Sequence, residues 1–311
     1  MIILYSLLIL SLIVVCLSTL FAIFTASSFV NSVRTRVNGI PSDLGIPFED
    51  VLFHTEDEVA LSGWYLENST SRTTIIIIHD RDRDRSDNKM GLLNLQVDYA
   101  KQGFSVLSFD LRGCGESTGK RGHLGQLENL DVEAAVLYAR RRKVQDSIVL
   151  HGFGLGATLA IEVGAKNLDI TAIVADAPMD SLSYTLRETY FWMPGFIFRM
   201  SSYFSKIIYK SDPYYFQLME KVKNIRIPIF FVHSEYDEIV PVWNSINLCA
   251  SSTNPHHYLW MHENHTGHCS YYLDSPVEYF LRIKDFISKF APIPIHVVRD
   301  STQNHIEQKV S

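Results

Sequence analysis

Apolar runs and amphipathic segments alternate along this chain after residue 48, with glycine-rich or polar turns between them. The apolar runs predict short strands at 73–78, 104–109, 148–150, 170–175, 227–232 and 257–261, the first three of them buried. Apolar residues at helical spacing predict helices at 90–102, 125–142, 157–163, 242–250 and 276–290. Strands that alternate with helices in this way indicate one large α/β domain.

Two further segments depart from this alternation. Residues 49–55 and 59–66 flank a polar turn and predict an antiparallel hairpin at a sheet edge. Residues 180–224 are crowded with aromatic side chains, and Pro194 and Gly195 separate two helical pieces. We interpret this stretch as a helical cap over the carboxyl edge of the sheet. Helices packed directly on the sheet are the alternative.

The N-terminal 33 residues contain no charged side chain. About 20 apolar residues span a bilayer, so the run from Ile2 to Ala26 predicts a single transmembrane helix. A cleaved signal peptide is disfavoured because no Lys or Arg precedes the apolar run. Arg34 and Arg36 follow the span and favour a cytoplasmic domain. The resulting division is an anchor at 1–33, a linker at 34–48, a domain at 49–290 with its cap at about 180–224, and a tail at 291–311.

Composition narrows the classes of function. The 311 residues carry a net charge of −6, so no basic surplus indicates nucleic-acid binding. Of the four cysteines, Cys16 lies in the anchor, which leaves Cys114, Cys249 and Cys269. An odd number without framework spacing favours unpaired thiols in a reducing compartment.

The stretch from Ser147 to Ala165 has the pattern of a nucleophile elbow. A short strand leads into a sharp corner between Gly152 and Gly156, and a helix follows. In a G-x-S-x-G elbow this strand–turn–helix holds a serine side chain above the sheet. The central position here is Gly154, which has no side chain.

Four blocks of sequence occur in the order typical of one family. They are Ile75–Asp80, Phe104–Gly119, Ile148–Ala157, and Pro228–Pro241 together with Gly267-His268. The chain resembles the α/β-hydrolases, in particular the serine aminopeptidase-like and lysophospholipase-like branch. The second block looks like F-D-x-R-G-x-G-x-S-x-G, and residues 125–131 look like the following G-x-x-E-x-x-D helix start. The resemblance implies the α/β-hydrolase fold: a mostly parallel central sheet with helices on both faces, an N-terminal antiparallel hairpin and a helical cap.

The resemblance also implies the members of a catalytic site. The nucleophile position falls on Gly154, the acid on Asp237 and the base on His268. Glycine adopts the strained elbow backbone without the roughly 1–3 kcal/mol that other residues lose there. The site therefore keeps its acid and base and lacks its serine.

The same resemblance places an oxyanion hole at Leu155, Asp80 and Arg81. The family's usual His-Gly after the first central strand is His79-Asp80 here. A carboxylate at this place opposes the negative charge that acyl transfer develops. The departures at residues 80 and 154 both argue against catalysis through a serine.

Two hypotheses of function follow. The first is a membrane-anchored homologue without serine-hydrolase turnover, which binds a hydrophobic acyl or ester ligand under the aromatic cap, or a partner. The second is an active hydrolase of an ester, thioester or amide that uses Asp237 and His268 with water or a displaced nucleophile. The candidate substitutes are Ser234, Ser270 and Cys114. A pure scaffold, which binds no ligand, is a third interpretation.

Four histidines crowd the region before the predicted base: His256, His257, His262 and His265. Only Glu263 adds a carboxylate at ligand spacing, so a metal site is the minor interpretation. The sequence implies no cofactor.

Overall fold

The computed structural model describes residues 1–31, 33–166, 169–263 and 267–292. The eight strands are β1 (Glu49–His54), β2 (Ala60–Leu66), β3 (Thr73–Ile78), β4 (Ser105–Phe109), β5 (Ser147–Phe153), β6 (Ala172–Asp176), β7 (Ile229–Ser234) and β8 (His257–His262). The helices are α1 (Ile2–Val30), α2 (Leu92–Lys101), α3 (Glu128–Arg142), α4 (Leu155–Gly164), α5 (Leu182–Thr189), α6 (Gly195–Tyr209), α7 (Leu218–Val222), α8 (Trp243–Ser251), α9 (Tyr271–Asp274) and α10 (Pro276–Ser288). A 3₁₀ turn covers Pro41–Leu44.

The strands form one sheet in the order β1-β2-β4-β3-β5-β6-β7-β8. The pairs β1/β2 and β2/β4 are antiparallel, and every other pair is parallel. The predicted hairpin therefore lies at one edge of a mostly parallel sheet. Because a parallel sheet collects the carboxyl ends of its strands at one edge, the loops after β3, β5 and β7 meet there.

Helices cover both faces of this sheet. Alternate residues of β3 point to opposite sides, so Ile76 and Ile78 join one apolar core and Ile75 and Ile77 join the other. The first core includes apolar side chains of α3 and α4, and the second includes those of α2 and α10. The predicted α/β architecture with helices on both faces is confirmed.

Among the differences from the sequence predictions, three concern β5, the cap and a further helix. β5 runs from Ser147 to Phe153 rather than over 148–150, because it pairs on both sides with β3 and β6. The stretch over 180–224 contains three helices, α5 to α7, rather than two. Helix α9 was not predicted; it is only four residues long.

Helix α1 is long and apolar enough to cross a membrane, judged by length and composition. It continues past Ala26 to Val30, because its last turns are buried against the cap. The division into anchor, linker, domain and tail stays a prediction, and residues 293–311 of the predicted tail lie outside the described residues.

The chain after α1 is fastened to the loops that follow β3 and β4. Arg34 donates to four backbone carbonyls of the second loop, those of Cys114, Gly115, Ser117 and Gly119. Arg81 of the first loop donates from Nη2 to the carbonyl of Phe29 at 2.7 Å. The end of α1 is thus joined to the loop that carries the predicted oxyanion residues.

Candidate active site

The corner between β5 and α4 has the geometry of a nucleophile elbow. Gly154 lies at φ 53° and ψ −113°, where only glycine is free of strain. A Cβ at Gly152 would overlap the carbonyl of Gly156, and a Cβ at Gly156 would overlap the carbonyl of Ile78. Both flanking glycines are therefore required by the close approach of strand and helix.

The space above Gly154 is filled by Asp80. A Cβ built on Gly154 would overlap Asp80 Oδ1 and would lie 2.9 Å from His268 Nε2. Asp80 Oδ1 accepts a hydrogen bond of 2.7 Å from the amide of Leu155, the residue after the elbow. The carboxylate thus fills the place of a nucleophile side chain. It also accepts the hydrogen bond from the Leu155 amide that an oxyanion would need.

His79 fixes the loop that carries Asp80. Its Nε2 accepts from the amide of Leu111 at 2.9 Å, which leaves the proton on Nδ1. Nδ1 then donates to the Asp80 carbonyl at 2.7 Å. This buried histidine joins the loops after β3 and β4 and holds the backbone of residue 80 in place.

The predicted acid and base are in direct contact. His268 Nδ1 lies 2.6 Å from Asp237 Oδ2. The other oxygen of Asp237 accepts from the amides of Ile239 and Val240, at 2.9 and 2.8 Å. His233 Nε2 lies 3.5 Å from Asp237 Oδ2 and bonds the carbonyl of Val240. The acid is therefore held by its own loop and by a histidine at the end of β7.

His268 lies between two carboxylates. Its Nε2 lies 3.4 Å from Asp80 Oδ2, opposite the contact with Asp237. Only 6% of the His268 side chain and 13% of the Asp80 side chain are exposed. The structure thus brings together a row of three ionisable groups, in the order Asp237, His268 and Asp80, beside an elbow without a side chain.

This row shifts the pKa of each member toward the charged form. Burial disfavours the imidazolium, yet the neighbouring Cys269 and the two flanking carboxylates raise the pKa of His268 well above its usual value. Burial likewise opposes ionisation of Asp80, but His268 and the amides of Leu155 and Arg81 lower the pKa of this carboxyl below its usual value. Burial also opposes ionisation of Asp237, and hydrogen bonds from His233 and His268 outweigh it and lower its pKa.

The candidate substitute nucleophiles are not the groups nearest the elbow position. The three heavy atoms closest to a Cβ on Gly154 belong to Asp80 and His268. Ser270 Oγ bonds the Gly267 carbonyl, and Ser234 Oγ accepts from the Tyr236 amide. Cys114 is buried, and burial raises the pKa of its thiol far above the ordinary value. A nucleophilic role for these three residues stays a prediction.

Two neighbours of the base were not singled out from the sequence. Cys269 Sγ lies 3.5 Å from His268 Nε2, and its position directly after the predicted base was the available signal. Asp176, at the end of β6, is buried and accepts from Tyr279 Oη at 2.7 Å. Burial raises the pKa of Asp176 to about 6. Its carbonyl accepts from the Gly154 amide at 2.8 Å, so Asp176 supports the elbow from below.

A small, mostly apolar cavity lies beside the predicted oxyanion residues. Leu155 and Arg81 form one side, and Phe29 and Val30 at the end of α1 form another. Leu111, Cys114 and Leu124 add apolar wall. The last turn of the predicted anchor thus helps to enclose space next to the elbow.

The crowded histidines are used in other contacts. His262 stacks on Tyr271 with ring centroids 3.9 Å apart, and His257 Nε2 bonds the Ile227 carbonyl at 2.9 Å. Across the described parts of the chain, no group of three or more His, Cys, Asp or Glu is placed to hold a metal ion. His265 lies outside the described residues.

Comparison with known sequences links the chain to one family of hydrolases. The family model described as serine aminopeptidase, S33, matches residues 91–213. Protein bem46 of Schizosaccharomyces pombe is 27% identical over 242 residues, which are 74% of this chain and 75% of that protein. Human protein ABHD12B is 32% identical over 153 residues, 45% of this chain and 39% of that protein. A protein of Saccharomyces cerevisiae described as the uncharacterized membrane protein YNL320W is 27% identical over 145 residues, 46% of this chain and 49% of that protein.

Solved structures agree with the sequence comparisons. The Pyrococcus furiosus esterase Pf2001 superposes with a TM-score of 0.71 at 26% identity and covers 85% of this chain and 98% of its own. Mouse alpha/beta hydrolase domain-containing protein 10 superposes with a TM-score of 0.59 at 17% identity, over 78% of this chain and 99% of its own, which bears on the fold alone. With the parallel sheet, the glycine elbow and the matched sequence blocks, these findings make the chain a member of the α/β-hydrolase superfamily.

Proposed function

We propose that this chain is a membrane-anchored α/β-hydrolase superfamily protein that carries out no acyl transfer through an elbow serine and binds an apolar, acyl-type ligand. One observation supports the absence of acyl transfer through an elbow serine. The Asp80 carboxylate occupies the space above Gly154 and accepts the Leu155 amide. An oxyanion formed there would meet a fixed negative charge in place of a free donor, and such donors supply much of the rate in acyl transfer.

The ligand class is supported by the surroundings of the elbow. The cavity next to Leu155 is lined mostly by apolar side chains, and one of them, Phe29 of α1, packs on Tyr190 and Phe198 of the cap. The cavity of about 20 Å³ has room for about one water molecule, so an acyl chain would enter only if the wall formed by the end of α1 moved outward. Each CH₂ group buried in that way would gain roughly 0.8 kcal/mol. Arg81 and Arg112 line the cavity together with Asp82 and Glu128, so its charged lining is balanced.

The membrane part of the proposal is supported by α1. This helix is the one membrane-span candidate among the described residues, and it precedes Arg34 and Arg36. We propose a single pass with the domain on the cytoplasmic side, as the basic residues after the span favour.

A serine-directed fluorophosphonate probe tests the catalytic part of the proposal. The wild-type protein in detergent should stay unlabelled and should hydrolyse p-nitrophenyl esters at the rate of a buffer blank. The matched positive control is the double variant Asp80→Gly/Gly154→Ser, which restores both the hydroxyl and the free amide. Labelling of the wild-type protein, mapped to any serine by peptide mass spectrometry, would refute the proposal.

A second candidate function is favoured by the orientation of Asp80 itself. One oxygen of its carboxylate, Oδ1, accepts the Leu155 amide, and the other, Oδ2, faces His268 at 3.4 Å. A carboxylate can serve as a nucleophile when its covalent product is later hydrolysed. Because Oδ1 already uses the amide, the substrate's own oxygen has no donor there, which favours displacement at an alkyl carbon over addition to a carbonyl.

The chemistry of this second candidate balances for an epoxide. Asp80 Oδ2 bonds a ring carbon, the ring C–O bond breaks, and the imidazolium of His268 protonates the alkoxide. Neutral His268 then takes a proton from water as the water adds to the ester carbon of Asp80, with the charge on Oδ1 facing the Leu155 amide. The intermediate expels the diol as His268 protonates it, and the resulting carboxylic acid returns a proton to His268.

Trapping of the covalent intermediate tests the second candidate. The variant His268→Ala lacks both the acid for ring opening and the base for hydrolysis. Water can still protonate the alkoxide, so ring opening should be slower but should leave an unhydrolysed adduct on Asp80 after long incubation with styrene oxide, which intact-protein mass spectrometry detects. His268→Ala/Asp80→Asn is the matched control and should show no adduct. If neither an adduct on Asp80 nor diol formation by the wild-type protein is observed, the second candidate is rejected and the binding proposal stands.

A further inference from the structure

The exposed part of α1 has a definite length. From Ile2 to Phe21 the helix is exposed or half-buried, and the first fully buried side chain is Ala22. These 20 residues extend about 30 Å at 1.5 Å per residue. That length equals the hydrocarbon thickness of a bilayer, about 30 Å. If the exposed part of α1 lies in the lipid, the membrane surface is at the level of Phe21.

Below that level α1 packs against the cap. Ala22 and Ala26 of α1 are buried, as are Ser201 and Ser205 of α6. Small residues four apart on both helices allow their backbones to approach closely. Phe29 completes the contact with rings 5.1 Å from Tyr190 and 5.6 Å from Phe198. The cap is thus held beside the anchor at a fixed distance from the level of Phe21.

The loop between α5 and α6 lies at the height where the exposed part of α1 ends. Trp192 contacts Phe21, with ring centroids 6.3 Å apart. The neighbouring side chains are unusually exposed for their type: Phe191 at 75%, Trp192 at 59% and Phe196 at 61%. Trp is enriched at membrane–water interfaces, because its ring is amphipathic. This group of three aromatic residues, the cap tip, stands where the headgroups of the lipid would be.

The outward face of α6 continues the cap tip. Tyr203 and Ile207 are exposed about one and two turns along the helix from Arg199, which is also exposed. Lys206 adds a second cation, and α6 contains no Asp or Glu. An exposed face that combines aromatic, aliphatic and basic side chains is typical of a helix that lies in a membrane interface.

We propose that the cap tip and the outward face of α6 are inserted into the headgroup region of the same bilayer that holds α1. The occupant of this surface is a lipid bilayer, and the inference rests on the proposed membrane anchor. The end of α1 lines the cavity beside Leu155 through Phe29 and Val30, and Phe29 also packs on Tyr190 and Phe198 of the cap. An apolar ligand would therefore reach the cavity from the lipid rather than from water.

Tryptophan fluorescence of the full-length protein in lipid nanodiscs tests this surface. The chain has four tryptophans, so the contribution of Trp192 is the difference between wild type and Trp192→Phe. The matched control is Trp243→Phe, which removes another cap-contacting indole, one that packs on Tyr184 at 4.9 Å. The nanodiscs contain phosphatidylcholine with bromine near the headgroup end of the acyl chain, near its methyl end, or absent.

We expect bromine near the headgroup to quench most of the Trp192 emission and bromine near the methyl end to quench less of it. The emission of Trp243, measured as the difference between wild type and Trp243→Phe, should be the same with and without bromine. Unquenched Trp192 in a protein that resists carbonate extraction would overturn this inference and leave the anchor intact. Trp192 shielded from both bromolipid and aqueous acrylamide would assign the surface to a second copy of the chain, which also overturns it. Release by carbonate would overturn both the inference and the proposed anchor.

Discussion

The carboxylate of Asp80 and a side chain at residue 154 exclude each other. A Cβ on Gly154 would overlap Asp80 Oδ1, and the backbone there is at φ 53°. The two predicted departures from the family pattern, at residues 80 and 154, are therefore linked, because Asp80 occupies the room that a side chain at residue 154 would need. Asp80 contacts His268, which would bond a serine at residue 154. It also accepts from the Leu155 amide, which would bond the oxyanion.

The first prediction concerns this exclusion. Gly154→Ser alone should lower the free energy of unfolding by roughly 1–3 kcal/mol from overpacking and by a similar amount from backbone strain. Asp80→Gly/Gly154→Ser should recover the overpacking part, because it removes the carboxylate. Denaturant unfolding of the two variants measures the difference.

Gly154→Ala separates packing from chemistry, since it adds the same Cβ without a hydroxyl. It should be as destabilised as Gly154→Ser. Only the double variant should label with fluorophosphonate, and His268→Ala should abolish that labelling. Equal stability of the single and double serine variants would contradict the exclusion.

The second prediction concerns the pH dependence of the three-group row. His268 has a raised pKa in the folded protein, so its stabilising contribution is complete below the unfolded pKa of about 6.5 and is lost as pH rises through the folded pKa. Asp80 has a lowered pKa, so its contribution is present above about pH 4 and is lost as pH falls through the folded pKa. Asp80→Asn should lower the pKa of His268, as histidine-selective NMR would measure.

The same variant should flatten the decline of stability above about pH 6.5, since one carboxylate no longer favours the imidazolium. Assignment of the His268 signal comes from its absence in His268→Gln. An unchanged His268 titration in Asp80→Asn would show that the 3.4 Å contact carries no electrostatic interaction.

A third prediction concerns Asp176 beneath the elbow. Its folded pKa, about 6, lies above the unfolded value of about 3.9, so stability falls as pH rises between the two. Tyr279 donates to this carboxylate at 2.7 Å and favours its ionised form. Tyr279→Phe should raise the pKa of Asp176 further and cost about 1–3 kcal/mol where the group is ionised.

The cost of Tyr279→Phe should therefore be larger at about pH 8 than at about pH 4.5, as urea unfolding at both values would show. Tyr272→Phe is the matched control, because that hydroxyl donates to Asp98, a less buried carboxylate, also at 2.7 Å. A cost that is the same at both pH values would argue that Asp176 does not titrate between them and would contradict its raised pKa.

A fourth prediction concerns the junction between α1 and the domain. Arg34 donates to four carbonyls of the loop after β4, so Arg34→Ala should free this junction. Because Arg34 is exposed, the loss in global stability should be small, about 1 kcal/mol. Limited proteolysis at residues 33–40 should be several-fold faster for Arg34→Ala than for the wild-type protein. Arg36→Ala removes the same charge two residues away and should be cut at the wild-type rate. Equal cutting of both variants would contradict this function of Arg34.

The fifth prediction concerns membrane topology. The full-length protein should stay in the membrane fraction through a carbonate wash, because α1 is apolar enough to span the lipid. With the domain on the cytoplasmic side, protease added to intact cells should leave it uncut, and protease added to inverted vesicles should digest it. The reverse pattern would place the domain outside and refute the sidedness.

The strand pattern and the elbow could be predicted from the sequence, because both depend on local features. Buried strands such as β3 appear as unbroken apolar runs, and the spacing of Gly152, Gly154 and Gly156 reflects backbone contacts within a few residues. Asp237 and His268 were assigned as acid and base by resemblance to the family's turn motifs, and the structure brings the two side chains into contact. Their catalytic roles stay a prediction. The ends of β5 and the third cap helix depended on pairing and packing, which a local pattern does not record.

What only the tertiary structure decided is where Asp80 points and what it excludes. The sequence places this carboxylate near the oxyanion loop, but its position above Gly154 depends on β3, β5 and the loop after β7 meeting at one edge of the sheet. The burial of the end of α1 under the cap likewise joins residues more than 160 positions apart, such as Ser28 and Tyr190. Sequence determines which segments are apolar and where the chain turns, because these follow from neighbouring residues. Which side chains share one space is decided by long-range packing, because distant segments compete for the same volume.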